Sequence, residues 1–197
     1  ALRMASSGKL GKEGLGGERV HEVLDLCLEC KACKTECPSN VDMSKMKSEH
    51  LAHYYEAKGT PLRARVFAEA PRSGRMNSGL MAPLVNGVMS VGFIRRAMFG
   101  VLKIAQGRHM PRFASLRLED WYRRNGKNKK SDREVVFFSD CWSNYYETGP
   151  GKWAIRLLEH FDYKIHFVGG SCCQRTRISK GFLAQAKEDG SKTVERL

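Results

Sequence analysis

A chain of 197 residues, 42% of them hydrophobic, has material for one ordinary domain or two small cores, which excludes a disordered tail. Its seven cysteines are odd in number and fall in two groups, a poor pattern for a secreted disulfide scaffold and a better one for metal-ligating thiolates in a reducing cytoplasm. The formal net charge of +13 suits nucleic acid, anionic lipid, an acidic partner or plain solubility, and no nucleic-acid motif narrows that choice.

In chain order, ALRMA reads as the end of a helix without an initiator methionine, followed by a glycine-rich passage with no apolar core of a signal peptide. This opening predicts a piece cut from something longer. ERVHEVLDL, residues 18–26, predicts a short helix with Val20, Val23, Leu24 and Leu26 as its apolar positions. Asp42 is placed to cap a second helix carrying Met43, Met46, His50, Leu51, Tyr54 and Tyr55 on one face until Gly59, after which Thr60 and Pro61 start another. Residues 63–133 read as helices joined by Gly/Pro breaks and ending in the basic turn NGKNKKSD. Within them, GLMAPLVNGVMSVGFI (79–94) is apolar but too short for a membrane span, interrupted or ended by Pro83, Asn86, Arg95 and Arg96. It is suited to a membrane surface or a partner.

The last third changes character. VVFFS (135–139) and YKIHFV (163–168) predict strands. A helix from Pro150 is expected to bury Ala154, Leu157, Leu158 and Phe161, and SKGFLAQAKED predicts a second helix. Strand, helix, strand, helix at this spacing is a βαβ unit with parallel strands. The expected fold class is therefore α + α/β.

Two constellations carry chemistry. CLECKACKTECP places Cys27, Cys30, Cys33 and Cys37 at Cys-x2-Cys-x2-Cys-x3-Cys-Pro, the bacterial ferredoxin spacing, in which a compact loop aims thiolates at an iron-sulfur cubane. A single zinc ion fits less well, because tetrahedral sites take two Cys-x2-Cys hooks from separate stretches. The four cysteines are the expected ligands of a 4Fe-4S cluster. Cys37 either completes that cluster or ligates a second one. In the other constellation, Cys141 follows the first strand and Cys172 and Cys173 follow the second. Parallel pairing brings all three to one sheet edge as a candidate second metal site, with Gly169 and Gly170 permitting close backbone approach. His50 and His53 are three apart, and His21, His109, His160 and His166 lack ligand spacing.

CLECKACKTECPSNVDM, DCWSNYYETGPGKWAIRLLEHF and SCCQRTRISKGFL together resemble the iron-sulfur portion of FAD-linked 2-hydroxyacid oxidoreductases. That group includes the glycolate oxidase iron-sulfur subunit, the iron-sulfur subunit of anaerobic glycerol-3-phosphate dehydrogenase, and fused D-lactate or D-2-hydroxyglutarate dehydrogenase-like proteins. The resemblance implies four segments: the end of an upstream helix and linker at 1–20, a helical ferredoxin-like 4Fe-4S module at 21–62, a helical basic linker at 63–133, and a truncated βαβα cysteine-rich CCG domain at 134–197. Cys27, Cys30, Cys33 and Cys37 would be the second of two ferredoxin motifs. Cys141, Cys172 and Cys173 would open the CCG domain. Gln174 stands where the family commonly has glycine, and no Cys-x2-Cys follows to complete that domain.

The implied function is electron transfer from a flavin to an acceptor such as quinone, with FAD in a partner domain or subunit. No Gly-rich dinucleotide fingerprint occurs, so the chain is not expected to oxidise substrate alone. A cytoplasmic setting at the inner face of a membrane, without nucleic acid, follows from the same resemblance. Other classes are a zinc-stabilised basic nucleic-acid-binding module, for which the basic run lacks interleaved aromatic residues, and a non-redox scaffold subunit.

Overall fold

The computed structural model describes residues 2–9, 14–127 and 130–197; the glycine-rich stretch 10–13, and Asn128 and Lys129 of the basic turn, lie outside the described residues. The chain is mostly helical, with one two-stranded parallel sheet. It forms two compact units, residues 1–69 with 174–188 and residues 70–173 with 189–197.

In the first unit, α1 (Leu2–Ser6), α2 (Glu18–Asp25), α3 (Ala32–Glu36), α4 (Met43–Lys58) and α5 (Leu62–Ala68) follow in order. Leu2, Ala5, Val20 and Leu24 are buried together, with Met43 and Met46 of α4 packed on them. Asp42 caps α4 as its position predicts, its carboxylate accepting the backbone N–H groups of Ser44 and Lys45. The predicted face of α4 is rotated toward Ser44 and Ser48, which are buried beside His50 and Leu51. Both hydroxyls are bonded locally, Ser44 Oγ to Asp42 and Ser48 Oγ to the Ser44 carbonyl at 3.0 Å, so their burial leaves no donor unmet. The next helix starts one residue later than expected, with Pro61 at the cap position and Leu62 first.

In the second unit, α6 (Ala70–Asn77), a 3-10 turn at Gly79–Met81, α7 (Ala82–Ser90) and α8 (Gly92–Val101) are followed by residues 102–117 without helix or strand. The helices expected across 63–133 are present up to Val101 and again from Leu118, with a longer irregular stretch between them than Gly/Pro breaks alone predict. Asn86 does more than interrupt an apolar run: its side-chain amide pairs with both the carbonyl and the N–H of Phe113 at 2.9 Å, satisfying the backbone of the irregular segment from the side. α9 (Leu118–Asn125), β1 (Glu134–Phe138), α10 (Cys141–Tyr145), α11 (Thr148–His160) and β2 (Lys164–Val168) complete the βαβ unit. The strands are parallel, with Glu134 opposite Lys164 and Phe138 opposite Val168. Leu118, Trp121, Ile155 and Ile165 form the core, with Val135, Phe137, Leu158 and Phe167 packed against it.

One stripe is corrected. On α11 the buried positions are Thr148, Gly151, Ile155 and Glu159, while Leu157 and Phe161 are each 56% exposed. Gly151 decides the rotation, because a Cβ there would lie 2.4 Å from Leu118 Cδ2. The helix therefore presses its backbone onto α9 at Gly151, and of the expected stripe Leu158 packs against the core.

The chain re-enters the first unit as α12 (Arg175–Ile178) and continues as α13 (Leu183–Val194), so the second predicted helix begins only at Leu183. Gly181 stops an earlier start, having φ +75° and no room for a Cβ, which would meet Ala52 N at 2.7 Å and Leu51 Cβ at 2.8 Å. Gly181→Ala is expected to destabilise the protein by about 1–3 kcal/mol in denaturant unfolding. Gly149→Ala, with nothing within 4 Å, is expected to be close to neutral in the same measurement.

Candidate functional site

The first cysteine group occupies the connection from α2 to α4. α2 ends as the Cys27 N–H donates to the Leu24 carbonyl at 3.0 Å. The backbone then takes left-handed conformations at Glu29 (φ 55°) and Lys31 (φ 63°), turning the chain tightly between Cys27, Cys30 and the start of α3. Cys33 lies on α3, and the Cys37 N–H closes that helix onto the Cys33 carbonyl at 3.0 Å. Cys30 and Cys33 are exposed, Cys27 and Cys37 half-buried, and none of the four is in a disulfide. The backbone N–H groups of Val41, Ser39 and Asn40 hold the Cys37 thiol below the ordinary cysteine range, with burial opposing them.

Lys47 ties this loop to α4 by donating to the Cys27 carbonyl at 2.7 Å. Leu26, just before the loop, and Leu28, within it, are 83% and 90% exposed. Among the described residues, no group of three or more His, Cys, Asp or Glu side chains is placed to hold a metal ion. The donor chemistry nonetheless fits an iron-sulfur cluster, which needs soft thiolates on a short, tightly turned loop with backbone N–H groups favouring the anionic sulfur.

The second group sits at the carboxyl edge of the β1/β2 pair, in the turns that follow the two strands. The Ser139 N–H donates to the Val168 carbonyl at 2.9 Å, extending the ladder one step beyond the strands. Asp140 then caps α10 by accepting the Ser143 N–H at 2.9 Å. This puts Cys141 at the first position of α10, where it is buried, with Cys172 Sγ 3.8 Å from its sulfur. The thiol hydrogen bond from Cys172 holds Cys141 below the ordinary cysteine range, against burial, Asp140 and Cys173. Ser139 Oγ, Asn144 Nδ2 and Ser171 Oγ, in the same strand-end turns and α10, are buried without a hydrogen-bond partner. Orphaned polar atoms of this kind fit a site built to receive a further group.

The structure thus brings Cys141 and Cys172 into contact. Cys173, next in sequence, is exposed and close enough to act on Cys141 electrostatically. Gln174 adopts φ 59°, the left-handed region that glycine takes freely and that costs other residues strain. Its side chain accepts a hydrogen bond from Arg177 at 3.2 Å. Gln174 therefore makes the turn and tethers it through its side chain.

Some placements are not legible in the pattern. His50 faces His21 rather than His53, with Nε2 to Nδ1 at 3.4 Å, and His21 stacks on Tyr54 at 4.0 Å between ring centroids. His53 is exposed beside Glu56. An open cavity of about 600 Å³ lies along β2 between Ile165–Gly169 and Glu119, Tyr122 and Arg123 of α9. No cysteine lines it, so it is separate from both thiol groups.

No family model matches the chain, and no solved structure matches it. D-2-hydroxyglutarate dehydrogenase of Escherichia coli (strain K12) is 27% identical over 190 residues, covering 90% of this chain and 18% of the relative. The protein of the same name from Pantoea ananatis (strain AJ13355) is 25% identical over the same shares. A subunit of the anaerobic glycerol-3-phosphate dehydrogenase of Escherichia coli (strain K12) is 27% identical over 162 residues, covering 81% of this chain and 40% of the relative. The chain is related to oxidoreductases. It spans less than half the length of each of these relatives.

Oxidising the reduced, metal-free chain with a small organic disulfide is expected to join Cys141 to Cys172 ahead of other pairs, the two thiols losing their hydrogens to the reagent. Peptide mapping by mass spectrometry reads the linkage, and Cys172→Ser is expected to leave Cys141 reduced.

Proposed function

We propose that the chain is the electron-transfer part of a flavin-dependent 2-hydroxyacid dehydrogenase, carrying electrons from FAD in a partner domain or subunit to an acceptor such as quinone. The observation that carries this is the Cys-x2-Cys-x2-Cys-x3-Cys-Pro loop, with two left-handed turns between its thiols and backbone N–H groups on Cys37, in a chain similar to parts of two named dehydrogenases. Cys27, Cys30 and Cys33 are the proposed ligands with Cys37. Cys141, Cys172 and Cys173 are a candidate second site. A bound 4Fe-4S cluster supplies one-electron transfer. The residues around it hold the thiols in place, Lys47 at the Cys27 carbonyl and the N–H groups of Ser39, Asn40 and Val41 at Cys37. Substrate oxidation belongs to the flavin-bearing partner.

The partner-facing surface is the bent pair made by Gly79–Ser90 and Gly92–Val101, whose axes meet at 86°. Leu80, Leu84, Phe93 and Val101 are 63–100% exposed on it. Residues 70–118 contain no Asp or Glu but do contain Arg72, Arg75, Arg95, Arg96, Lys103, Arg108, Arg112 and Arg117. Apolar side chains rimmed only by cations suit a partner that is apolar at its centre and acidic around it. Among the described residues no single helix is long and apolar enough to cross a membrane. The proposed setting is the reducing cytoplasm.

The deciding experiment is anaerobic reconstitution with iron and sulfide. The wild-type chain is expected to turn brown, with broad visible absorbance that bleaches on reduction. Serine at Cys27, Cys30 or Cys33 is expected to remove most of that absorbance and of the bound iron. A colourless chain that keeps zinc instead overturns the reading. For the apolar pair, co-sedimentation with anionic lipid vesicles at low and high salt separates the covers: no binding leaves a protein partner, whereas salt-sensitive binding lost in a Leu84→Glu, Phe93→Glu variant assigns the face to a bilayer.

A further inference from the structure

α11 carries a second apolar side that the fold leaves uncovered. Trp153, Leu157 and Phe161 fall four residues apart and are 68%, 56% and 56% exposed, so they form one outward ridge along about 12 Å of helix at about 1.5 Å per residue. Ala154 is exposed beside them. The helix does not need this ridge for its own packing, because Thr148, Gly151, Ile155 and Glu159 supply its buried side. Apolar residues exposed singly are ordinary, whereas three large ones in register on one ridge mark a surface that another molecule covers.

Cations line the ridge. The Arg156 guanidinium lies 5.0 Å from the ring centre of Trp153 and 5.5 Å from that of Trp121, and the Lys152 ammonium is 5.9 Å from Trp121. Among the described residues neither cation has a carboxylate partner. The Lys127 N–H donates to Glu159 at 2.6 Å, which brings the basic turn after α9, with exposed Lys127, against the same helix. Glu159 is the only carboxylate from Pro150 to Phe161, and it is 5% exposed and turned to that N–H, so it does not offset the cations outside. The next acid along the chain, Asp162, stands in the turn beyond the ridge.

We propose that the outer face of α11 is a docking surface for an amphipathic helix of an acidic partner protein. The partner's apolar residues, three and four apart, lie against Trp153, Leu157 and Phe161, and its carboxylates face Lys152, Arg156 and Lys127. A ridge of side chains four apart is the shape that a second helix accepts between its own ridges. Charge selects the partner: a second copy of this chain carries +13 and sets cations against cations, whereas an acidic helix brings the opposite sign to Arg156, which Trp153 and Trp121 already hold in place. Trp and Arg are also the residue types that most often anchor protein interfaces. This surface is distinct from the apolar pair of α7 and α8, and the proposal does not depend on the iron-sulfur reading.

The probe is a synthetic helical peptide with leucines three and four residues apart on one face and glutamates on both flanks; its counterpart carries lysine for glutamate. Binding to the full chain is followed by calorimetry and tryptophan emission. The acidic peptide is expected to bind, with affinity falling as salt is raised, and to shift the emission to the blue, a shift lost in Trp153→Phe. Phe161→Ser and Arg156→Glu are expected to weaken binding by about tenfold or more, and Val194→Ser, at an exposed apolar residue of α13, to leave it unchanged. Circular dichroism checks that each variant folds, and if Arg156→Glu does not, Phe161→Ser and Leu157→Ser decide. No binding, equal binding of both peptides, or binding kept in Phe161→Ser but lost in the Leu84→Glu, Phe93→Glu variant overturns the proposal. So does a wild-type dimer that Phe161→Ser returns to monomer, which gives the face to a second copy, or co-sedimentation with anionic lipid vesicles that Phe161→Ser abolishes, which gives it to a bilayer.

Discussion

The packing of α2 against α4 is the constraint on which the cysteine loop depends. Val20 and Leu24 on one helix and Met43 and Met46 on the other share a buried cluster, so the chain between them must leave and return at fixed points. Cys27 through Cys37 have to fit that span, and the left-handed residues Glu29 and Lys31 are how the backbone does so. Asp42 secures the far end by capping α4, and Lys47 secures the near end at the Cys27 carbonyl. A short loop held at both ends presents thiols with little conformational entropy left to lose, which is what a ligating loop requires.

The second unit reaches a similar result by a different device. Parallel pairing in the register Glu134 to Lys164 brings both strand ends to one edge, and residues 31 apart in sequence then touch through Cys141 and Cys172. Parallel sheets place their ligands at this edge because the turns there are free to vary while the strands hold position. The buried hydroxyls of Ser139 and Ser171 belong to those same turns, so the polarity of the edge comes with its geometry.

Charge connects these sites to function. The +13 balance is unevenly spread: the acid-free stretch 70–118 carries the exposed apolar helix pair, whereas at the Cys27–Cys37 loop the mostly buried Lys47 lies against Glu29. The first kind of charge is at the surface and acts on partners through solvent. The second is partly buried, Lys47 being held at the Cys27 carbonyl beside Glu29. Their magnitudes differ accordingly, since screening removes most of the first and little of the second.

Local chemistry was legible from the sequence alone. Cysteine spacing identified the loop, Asp42 its helix cap and Gly59 the end of that helix. The two apolar runs 135–139 and 163–168 identified strands that pair in parallel. These features depend on neighbours a few residues apart, for which spacing is sufficient information. The face that α11 turns inward was only partly legible, because Leu157 and Phe161 of its apolar stripe are exposed while Gly151 meets Leu118. Nor was the meeting of His21 with His50, or of Lys47 with Glu29 and the Cys27 carbonyl, since each needs two segments brought together by packing elsewhere. The sequence by itself determined the cysteine spacing that makes Cys27, Cys30, Cys33 and Cys37 candidate ligands, and which runs form the Asp42-capped helix and the paired strands. Only the tertiary structure decided which charges and hydrogen bonds surround these cysteines, because those contacts form between residues whose separation along the chain carries no periodic signal.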